Sequence, residues 1–540
     1  MQLKKNSSEQ KLRGAYYTPS ELARAMVVFA TKRPYSSILE PSCGDGVFID
    51  HLYKQGLPDG AHVTAIEIEA PEAAKVDAKF KNEQNLDVRC QDFFDFYKSN
   101  KDNRYNLILG NPPYIRYQYL TETQREIQSD ILTSHGMKSN KLINAWVAFL
   151  VACVQLLDRN GTIAFVIPAE ILQVAYAEDL RLYLSNNLDN ITLITFKQLV
   201  FDDIEQEVLV FIGEKGSKNR GIRIVEIEDL GELRNLNIDK YKYQGISHIK
   251  EKWTKYFVSG DMEVLQEIRN DDRFIQFSDC GLINVGITTG NNKYFSIDET
   301  TETKYGLGNV TLPLIGRSSH AHGIYFTEDD WKKNIEAGKR AMLISFPEIP
   351  IEDYSELHKK YIQLGEINNE HVGYKCSIRD RWYIVPSVWI PDAFFLRRNN
   401  LYPKFVLNAC GAVSTDTMHR MKFNDNVVPE DVLLSYYNSV SFAFTEVCGR
   451  SYGGGVLEIL PGEMGKIMLP KITENVDTKL KKELLSYIDR IVRMDDDIEK
   501  ALDVVDRKLL IEQLGISESL CSQCRTIWKK LQQRRLTRGE

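Results

Sequence analysis

The sequence lacks any apolar run of the about 18 residues that are needed to span a bilayer. Its nine cysteines are scattered along the chain, which fits a reducing compartment and no disulfide framework. Cys521-Ser-Gln-Cys524 lacks the second pair that a zinc site requires, so we interpret it as incidental and expect no metal. The start, Met1-Gln-Leu-Lys-Lys5, leads into polar residues and shows no signal peptide. We therefore expect a cytoplasmic protein.

The chain also lacks an excess of positive charge, because it carries 75 acidic and 68 basic side chains and a net charge of −7. Binding to nucleic acid depends on Lys and Arg that displace counterions from phosphates, so it would require positive charge gathered on one face. Residues 374–425 show such a concentration, with eight basic and four acidic side chains interleaved with aromatic residues. The alternative is a solvated sheet surface.

A chain of 540 residues exceeds a single core, and its composition of 43% hydrophobic and 26% charged residues is ordinary for globular proteins. Alternating strands and helices over 36–215 predict a doubly wound sheet. The strands predicted at 191–199 and 206–213 follow each other closely, so we expect them to close the sheet as an antiparallel pair. A helix over 20–31 is predicted to begin with Thr18-Pro19 as its cap and first-turn proline.

A short apolar strand, Ser36-Ser-Ile-Leu-Glu40, runs into a turn that contains Gly44 and Gly46 and then into a predicted helix. Glycines between a strand and a helix let the backbone approach a ligand at the carboxyl end of a parallel sheet. The spacing differs from the dinucleotide pattern G-x-G-x-x-G, and the carboxylates of Glu40 and Asp45 would repel a pyrophosphate. They suit a ligand with a positive amino acid end, and S-adenosylmethionine carries both an ammonium and a sulfonium.

Two further predicted strands also end in acidic residues. The strand over 62–68 contains Glu67, about twenty residues after the glycine turn, where a carboxylate takes ribose hydroxyls in this type of sheet. The strand over 87–91 is followed by Asp92 and Phe93, which suit the amino group and the face of an adenine. A single acid at a strand end is usually a solvated cap, but an ordered series of such ends favours a cofactor site.

A fourth predicted strand, over 105–110, stops at Asn111-Pro-Pro-Tyr114. If the target is an exocyclic amino group on a flat ring, the Asn111 side-chain oxygen and the Pro112 carbonyl accept its two N–H bonds. These bonds pull the nitrogen toward a tetrahedral, more nucleophilic state, while Tyr114 stacks on the ring. An Asn at a strand end before a Pro-Pro turn also occurs for purely structural reasons.

These motifs resemble, in this order along the chain, those of the gamma-class DNA adenine-N6 methyltransferases. The matching segments are Tyr17-Thr-Pro19, Leu39-Glu-Pro-Ser-Cys-Gly-Asp-Gly46, Ile66-Glu-Ile68, Gln91-Asp-Phe93 and Asn111-Pro-Pro-Tyr114. Residues 161–168 are similar to the next core strand of that family, and Phe201 stands where the family has an aromatic residue against the flipped base. The specific motifs lie between residues 12 and 215, and the resemblance is looser beyond.

The resemblance implies two sets of site residues. Those for S-adenosylmethionine are Tyr17, Thr18, Pro19, Glu40, Ser42, Gly44, Glu67, Ile68, Asp92, Phe93 and Asn111. Those that act on the target base are Asn111, Pro112, Tyr114 and Phe201. Within the first set, the family pattern assigns Thr18 and Pro19 to the methionine end of the cofactor and Glu67 to its ribose.

The implied reaction is methyl transfer to N6 of an adenine flipped out of duplex DNA, in a restriction-modification or epigenetic system of a bacterial or archaeal cell. The chain contains no Pro-Cys pair, which argues against the class that methylates carbon 5 of cytosine. Cytosine N4, an RNA base and a protein glutamine stay open as substrates, although Asn111 favours adenine over cytosine N4. The intact motifs argue against a DNA-binding module without catalysis.

We expect an α/β fold class: a class I S-adenosylmethionine-dependent methyltransferase, with a Rossmann-like doubly wound sheet and an antiparallel final strand. A C-terminal mixed α+β target-recognition domain and terminal helices are expected to follow. The predicted boundaries are 1–215 for the catalytic domain with its N-terminal arm, 216–275 for a connecting region, 276–474 for the recognition domain and 475–540 for a helical segment.

The expected partner is double-stranded DNA, with a cognate endonuclease acting separately and a monomeric enzyme as the simplest arrangement. Arginine is the preferred partner of guanine in the major groove, and Asn or Gln is the preferred partner of adenine. The candidate DNA-binding residues in the expected recognition domain are Asn291, Asn292, Arg379, Arg381 and Arg450.

Overall fold

The computed structural model describes residues 17–139, 143–198, 200, 201, 207–218, 220–246, 248, 250, 252–258 and 262–537. The chain divides into two compact units, Met1–Ser259 and Gly260–Glu540. Each unit has a hydrophobic core of its own.

The first unit is built on a sheet of eight strands within the described residues. These strands are β1 Ser37–Glu40, β2 His62–Glu67, β3 Leu86–Cys90, β4 Tyr105–Gly110, β5 Leu157–Pro168, β6 Asn190–Phe196, β7 Val208–Glu214 and β8 Gly221–Ile227. Their order in the sheet is β3-β2-β1-β4-β5-β7-β6-β8. Strand β7 is antiparallel to both of its neighbours, whereas the other pairs are parallel. This arrangement confirms a large doubly wound sheet with an antiparallel strand near its end.

In the described residues of the first unit, seven α-helices precede or connect these strands. They are α1 Ser20–Ala30, α2 Val47–Gln55, α3 Ala70–Lys79, α4 Phe93–Ser99, α5 Glu122–Thr133, α6 Ala145–Leu156 and α7 Glu178–Asn187. Helix α6 is apolar all round, and every residue of it except Gln155 is buried. A helix without a polar face must lie inside the fold, so α6 forms part of the core that supports the sheet.

For this unit, the structure differs from three expectations that were based on the sequence. Helix α1 begins at Ser20 with Pro19, not Thr18, in the capping position, and Pro19 supplies its carbonyl to the amide of Ala23. The antiparallel pair of β6 and β7 is confirmed, but it does not close the sheet, because β8 adds to β6 in parallel. The segment 216–275, expected to connect two domains, therefore contains a strand of the first sheet, and the two units divide at residue 259.

The second unit contains short strands in several small sheets. The strands are β9 Phe274–Gln276, β10 Gly281–Val285, β11 Ser296–Ile297, β12 Thr311–Ile315, β13 Tyr325–Phe326, β14 Met342–Ile344, β15 Ala393–Leu396, β16 Arg398–Asn399, β17 Phe405–Asn408, β18 Val413–Ser414, β19 Met418–Phe423, β20 Arg450–Tyr452, β21 Val456–Glu458 and β22 Met468–Pro470. The largest of these sheets has the order β10-β19-β15-β17-β13.

Helices of the second unit lie between and after these strands. They are α8 Met262–Asn270, α9 Asn292–Phe295, α10 Glu299–Tyr305, α11 Glu328–Glu336, α12 Glu356–Ile367, α13 Tyr374–Ser377, α14 Pro429–Tyr436, α15 Ser439–Cys448, α16 Pro461–Met464, α17 Thr478–Arg493, α18 Ile498–Val505 and α19 Glu518–Leu536. The helical periodicity of the C-terminal segment is confirmed, since Leu484, Leu485, Ile488 and Ile491 are buried on one face of α17. Across the described part of the chain, we find no helix with both the length and the apolarity to cross a membrane.

Candidate functional site

Four neighbouring strand ends of the first unit form the candidate site. Strands β3, β2, β1 and β4 are adjacent and parallel, so their carboxyl ends lie side by side along one edge of the sheet. Glu40 and Glu67 are the last residues of β1 and β2, Asp92 follows β3, and Asn111 follows β4. Ligands of open α/β sheets bind at this edge. The fold thus brings together the four strand ends that were each predicted from the sequence.

The turn after β1 depends on two glycines with positive φ, at +53° for Gly44 and +75° for Gly46. A Cβ atom on Gly46 would lie 3.2 Å from a methyl group of Val76 on α3, so a side chain there is both strained and crowded. The amide of Cys43 donates to the Ile66 carbonyl at 2.9 Å, which fastens the turn to the end of β2. The turn is therefore a fixed surface rather than a loose loop.

Glu40 is the most unusual polar group of the site. Its side chain is 1% exposed, and neither carboxylate oxygen has a hydrogen-bond partner among the described residues. Burial, together with the charges of Asp45 and Glu67, raises the pKa of Glu40 well above its ordinary value. A buried carboxylate without a partner is costly, and a bound ammonium group would relieve that cost. The site thus fits the amino acid end of S-adenosylmethionine.

Glu67 is held by the backbone of the two adjoining turns. One of its oxygens accepts from the amide of Gly44 at 2.8 Å and the other from the amide of Glu69 at 2.9 Å. A carboxylate has about four lone-pair sites, so each oxygen keeps capacity to accept from a hydroxyl group. The neighbouring Ile68 is 55% exposed at the same strand end. This arrangement fits a pair of ribose hydroxyls.

Asp92 caps helix α4 and is shared with a second helix. Its Oδ1 atom accepts from the amide of Phe94 at 2.7 Å, and its Oδ2 atom accepts from the Gln124 side chain at 2.7 Å. Phe93 is 3% exposed and stacks on Phe149, with ring centroids 4.6 Å apart. Asp92 and Phe93 are therefore fixed in position before any ligand is bound.

The Asn-Pro-Pro-Tyr segment is joined to both the glycine turn and β5. The Ser42 hydroxyl donates to the backbone carbonyl of Asn111 at 3.2 Å, and the Tyr114 hydroxyl donates to the Val166 carbonyl at 3.1 Å. Pro112 and Tyr114 are buried, and Tyr114 is 7% exposed. Phe201, which is also nearly buried, belongs to the same core. The two rings assigned to the target base are thus part of the packed first unit.

The N-terminal residues of the expected cofactor set lie next to the glycine turn. Tyr17 is 48% exposed, and a Cβ atom on Gly44 would lie 3.9 Å from its ring. Thr18 is buried, and Pro19 is the N-capping residue of helix α1. Partial burial, followed by the charge of Glu72, raises the pKa of Tyr17.

The five candidate DNA-binding residues all contact other residues of the second unit. Asn291 donates to Glu370, and Asn292, the exposed member of the set, accepts from the Thr289 hydroxyl at 2.5 Å. The other three are arginines. Arg379 donates to the carbonyls of Thr288 and Trp382, Arg381 donates to the carbonyl of Ile349, and Arg450 pairs with Glu463 at 2.7 Å. The guanidinium groups are thus held in defined positions by the protein itself.

Most cations of the basic segment 374–425 are likewise engaged within the unit. Lys422 pairs with Asp392, while Arg397 and Arg398 approach Glu458. Side chains that donate to backbone carbonyls include Lys404 and Arg420. The local excess of positive charge is real, but the side chains that carry it also stabilise the fold.

The segment between Tyr114 and helix α6 has no role predicted from sequence, and one contact of the candidate site was missed there. Gln124, in the first turn of α5, donates to Asp92 across the site. The pattern Thr121-x-x-Gln124 is a capping-box signal and could have located the start of α5. Nothing in the sequence indicates that the same amide reaches Asp92.

No cluster of three or more His, Cys, Asp or Glu side chains with metal-binding geometry occurs in the residues that the structure describes. Cys521 and Cys524, the pair singled out by their spacing, are both buried thiols in helix α19.

Two family models match the chain. The "Eco57I restriction-modification methylase" model matches residues 47–201, and the model "Type II methyltransferase M.Eco57I, C-terminal domain" matches residues 250–510. The first match contains Asn111-Pro-Pro-Tyr114 and most of the first sheet. The second match spans much of the second unit.

Curated relatives and solved structures agree with these matches. The "Type II methyltransferase M.AccI" of Acinetobacter calcoaceticus is 23% identical over 478 residues, which is 84% of each chain. The "Type II methyltransferase M.XamI" of Xanthomonas campestris pv. amaranthicola is 22% identical over 486 residues, 85% of each chain. The structure of the Type IIL restriction-modification enzyme MmeI in complex with DNA has a similar fold. Its TM-score is 0.56 at 12% identity, and the match covers 95% of this chain and 75% of that one. The chain belongs to the restriction-modification DNA methyltransferase family, and its cofactor is S-adenosylmethionine.

Proposed function

We propose that the protein is a site-specific DNA methyltransferase that modifies N6 of an adenine flipped out of the duplex. The observation that carries this proposal is the position of Asn111-Pro-Pro-Tyr114. It directly follows β4, beside the strand ends that present Glu40 and Glu67. An amide acceptor next to a cofactor edge suits a planar amine, because such a nitrogen is a poor nucleophile until its N–H bonds are held by acceptors.

The chemistry divides between the cofactor and the protein. S-adenosylmethionine, when bound, supplies the methyl group and takes back the electron pair of its carbon–sulfur bond. The Asn111 side-chain oxygen and the Pro112 carbonyl accept the two N–H bonds of the target amine and direct its lone pair toward the methyl group. The new nitrogen–carbon bond leaves a positive charge on N6, and N6 then releases one of its two protons to water.

The base must leave the helix before this step, because N6 of a paired adenine is not accessible. Extrusion costs a few kcal/mol. Stacking on Tyr114 and Phe201 offsets part of that cost. The hydroxyl bond from Tyr114 to the Val166 carbonyl keeps its ring in one orientation, so little conformational freedom is lost on binding.

We assign sequence recognition to the second unit. Asn291, Asn292, Arg379, Arg381 and Arg450 remain the proposed base-contacting residues. The contacts of Arg379 and Arg381 with backbone carbonyls support this role, since a guanidinium held in place can recognise guanine with less loss of freedom. We also propose that the enzyme acts as a monomer beside a separate cognate endonuclease.

The test is methyl transfer from labelled S-adenosylmethionine to mixed-sequence duplex DNA, followed by nucleoside analysis. The variants Asn111→Ala and Tyr114→Ala are compared with the wild type. Asn103→Ala, in an exposed loop before β4, is the matched control. We expect label in N6-methyladenine, and a loss of about 10²–10³-fold in Asn111→Ala, the usual effect of removing one polarising group.

Each other outcome identifies a different substrate. Label in N4-methylcytosine would agree with the proposed pocket, because the same two acceptors suit that amine. It would show that the target base is cytosine rather than adenine. Label on RNA or on a protein glutamine, with none on DNA, would contradict the proposed role of the second unit. Full activity of Asn111→Ala would remove Asn111 from the mechanism.

A further inference from the structure

Gln124 joins the cofactor edge of the first unit to the helix that follows the Asn-Pro-Pro-Tyr segment. Its side-chain nitrogen donates to Oδ2 of Asp92 at 2.7 Å, and its side-chain oxygen accepts from the amide of Thr121 at 3.0 Å. The Thr121 hydroxyl in turn accepts from the amide of Gln124 at 3.2 Å, which completes a capping box. One amide group thus uses its donor for the strand-end carboxylate and its acceptor for the start of α5.

The segment between Tyr114 and α5 is held by a second set of contacts. The guanidinium of Arg125 donates to the carbonyls of Tyr117 and Gln118 at 3.1 and 3.0 Å, and it lies over the Tyr117 ring at 5.1 Å. The Ile115 carbonyl accepts from the amide of Ala145 at 2.9 Å. The segment before α5 is therefore tied to its first turn, which contains both Gln124 and Arg125.

Among the side-chain hydrogen bonds of the described residues, the bond from Gln124 to Asp92 is the only one that joins α5 to the end of β3. The other oxygen of Asp92 is used by the amide of Phe94 at the start of α4. A ligand that donates to Asp92 must share the carboxylate with Gln124, so binding at the third strand end changes the strength and direction of the Gln124 bond. A charge-assisted bond of this kind contributes more than a neutral one.

We propose that Gln124 is a positioning residue that couples cofactor binding at Asp92 to the conformation of residues 115–120 beside the target-base pocket. The inference rests on the proposed function for the identity of the target. Cofactor binding at Asp92 changes the bond that Gln124 donates to the carboxylate, and Gln124 passes this change to the first turn of α5 and the segment before it.

Two variants separate coupling from simple helix capping. Gln124→Glu keeps an oxygen that accepts from the Thr121 amide, but it cannot donate to Asp92 and places a second carboxylate beside it. Gln124→Ala removes both contacts. Glu126→Ala, an exposed position on the same helix, is the control. A role in capping alone would spare Gln124→Glu, whereas a coupling role would be lost in both variants.

The first measurement is hydrogen exchange of the 115–125 segment with and without S-adenosylhomocysteine, which needs neither DNA nor catalysis. In the wild type and in Glu126→Ala we expect exchange to slow about tenfold on binding. In Gln124→Glu and Gln124→Ala we expect a change of less than about twofold at saturating ligand. Equal protection in Gln124→Glu and in the wild type, or no protection in the wild type, would overturn the proposal.

The second measurement is the ratio of DNA affinities with and without S-adenosylhomocysteine. Coupling between two sites typically changes affinity by about 5- to 150-fold, and it is the same in both directions. We expect a ratio of at least about fivefold in the wild type and a ratio near one in both Gln124 variants. A wild type that binds no DNA would contradict the proposed function alone, because the exchange measurement still decides the role of Gln124. An undiminished ratio in Gln124→Glu would contradict the coupling itself.

Discussion

At the scale of single residues, Glu40 shows how a site can oppose the stability of its own fold. A carboxylate that is buried without a partner among the described residues costs free energy in the folded state, and nothing in the packing of β1 requires a charge at this position. Local conflicts of this kind are expected at functional sites, where a ligand supplies the missing partner. We propose that the ammonium group of the cofactor is this partner and removes the cost by pairing with the carboxylate.

The variant Glu40→Gln is expected to bind the cofactor more weakly and to be more stable than the wild type when the cofactor is absent. A hydrogen bond to a charged group contributes about 1.5–3 kcal/mol, so affinity for S-adenosylhomocysteine should fall about 10- to 100-fold. The melting temperature of the cofactor-free protein should rise at neutral pH, because an amide carries no charge and takes up no proton on folding, whereas the buried carboxyl must do one or the other. Calorimetric titration and thermal unfolding measure the two effects, with the exposed Glu83→Gln as control. A lower melting temperature together with unchanged affinity would contradict this account.

Cofactor binding is also expected to release protons. Burial raises the pKa of Glu40 in the free protein, and a bound cation favours the ionised carboxylate, so affinity should fall as the pH is lowered through that raised pKa. The folded, cofactor-free protein holds this proton at a pH where the unfolded chain has lost it, so its stability should fall as the pH rises through the same window. Titration in two buffers with different ionisation enthalpies counts the protons, and a Glu40→Gln variant that releases as many would refute the assignment.

At the scale of elements, the strand ends were predictable and the contacts between helices were not. Strands β1, β2 and β4 each have an apolar run that stops at a polar residue, so both the strand and the position of its candidate side chain follow from the local pattern. The bond from Gln124 to Asp92 joins residues 32 positions apart and depends on how α5 packs near α4. A pattern in the local sequence cannot indicate a contact between residues that are so far apart in the chain.

The C-terminal helix provides a second example at this scale. Arg535 in α19 makes three hydrogen bonds of 2.9–3.1 Å to the carboxylate of Glu446 in α15, and it donates to the carbonyl of Gly455 at 2.6 Å. The two side chains are 1% and 2% exposed. Arg535 belongs to the basic stretch 529–538 of the sequence, yet it lies inside the second unit.

Breaking this buried pair is expected to destabilise the second unit strongly. Arg535→Met should cost about 3–5 kcal/mol, because it leaves the Glu446 carboxylate buried without a partner. The double variant Arg535→Met/Glu446→Leu should recover most of that loss, since buried ion pairs are often replaceable by apolar residues of similar volume. Urea unfolding measures both values, with the exposed Lys530→Ala as control. Equal losses in the single and double variants would show that packing, rather than the unpaired charge, is the cause.

At the scale of the whole molecule, the division into two units matches the two tasks that we propose for them. The candidate cofactor-binding strand ends and the Asn-Pro-Pro-Tyr segment all lie within Met1–Ser259, and their core consists of residues of that unit. The candidate recognition residues all lie within Gly260–Glu540. A net charge of −7 gives no general attraction to DNA, so affinity must come from particular cations of the fold.

A fragment of residues 1–259 is therefore expected to fold and to bind S-adenosylhomocysteine within about threefold of the full chain, because its core and cofactor contacts are internal. It should transfer no methyl group to a specific DNA site, since the recognition residues are missing. Calorimetry and labelled methyl transfer test the two statements, with the fragment 260–540 as the complementary control. Site-specific methylation by 1–259 would place recognition in the first unit.

The sequence by itself determined the doubly wound sheet, its antiparallel β6–β7 pair, the helical C-terminal segment and the order of the strand-end motifs. These features follow from local physics: strands and helices have different periods of burial, glycine allows a tight turn, and proline stops a strand. The addition of β8 to β6 is not local in this sense, and the sequence interpretation placed it in a connecting region.

Only the tertiary structure decided which polar groups have partners. Within the described residues Glu40 has none, Glu67 is held by two backbone amides, Asp92 is shared with Gln124, and Arg535 is enclosed with Glu446. The physical reason is that burial and hydrogen bonding depend on atoms far apart in the chain, and packing alone brings them together. The sequence predicted the residues of the candidate site, and the fold determined the burial and the hydrogen bonds of each.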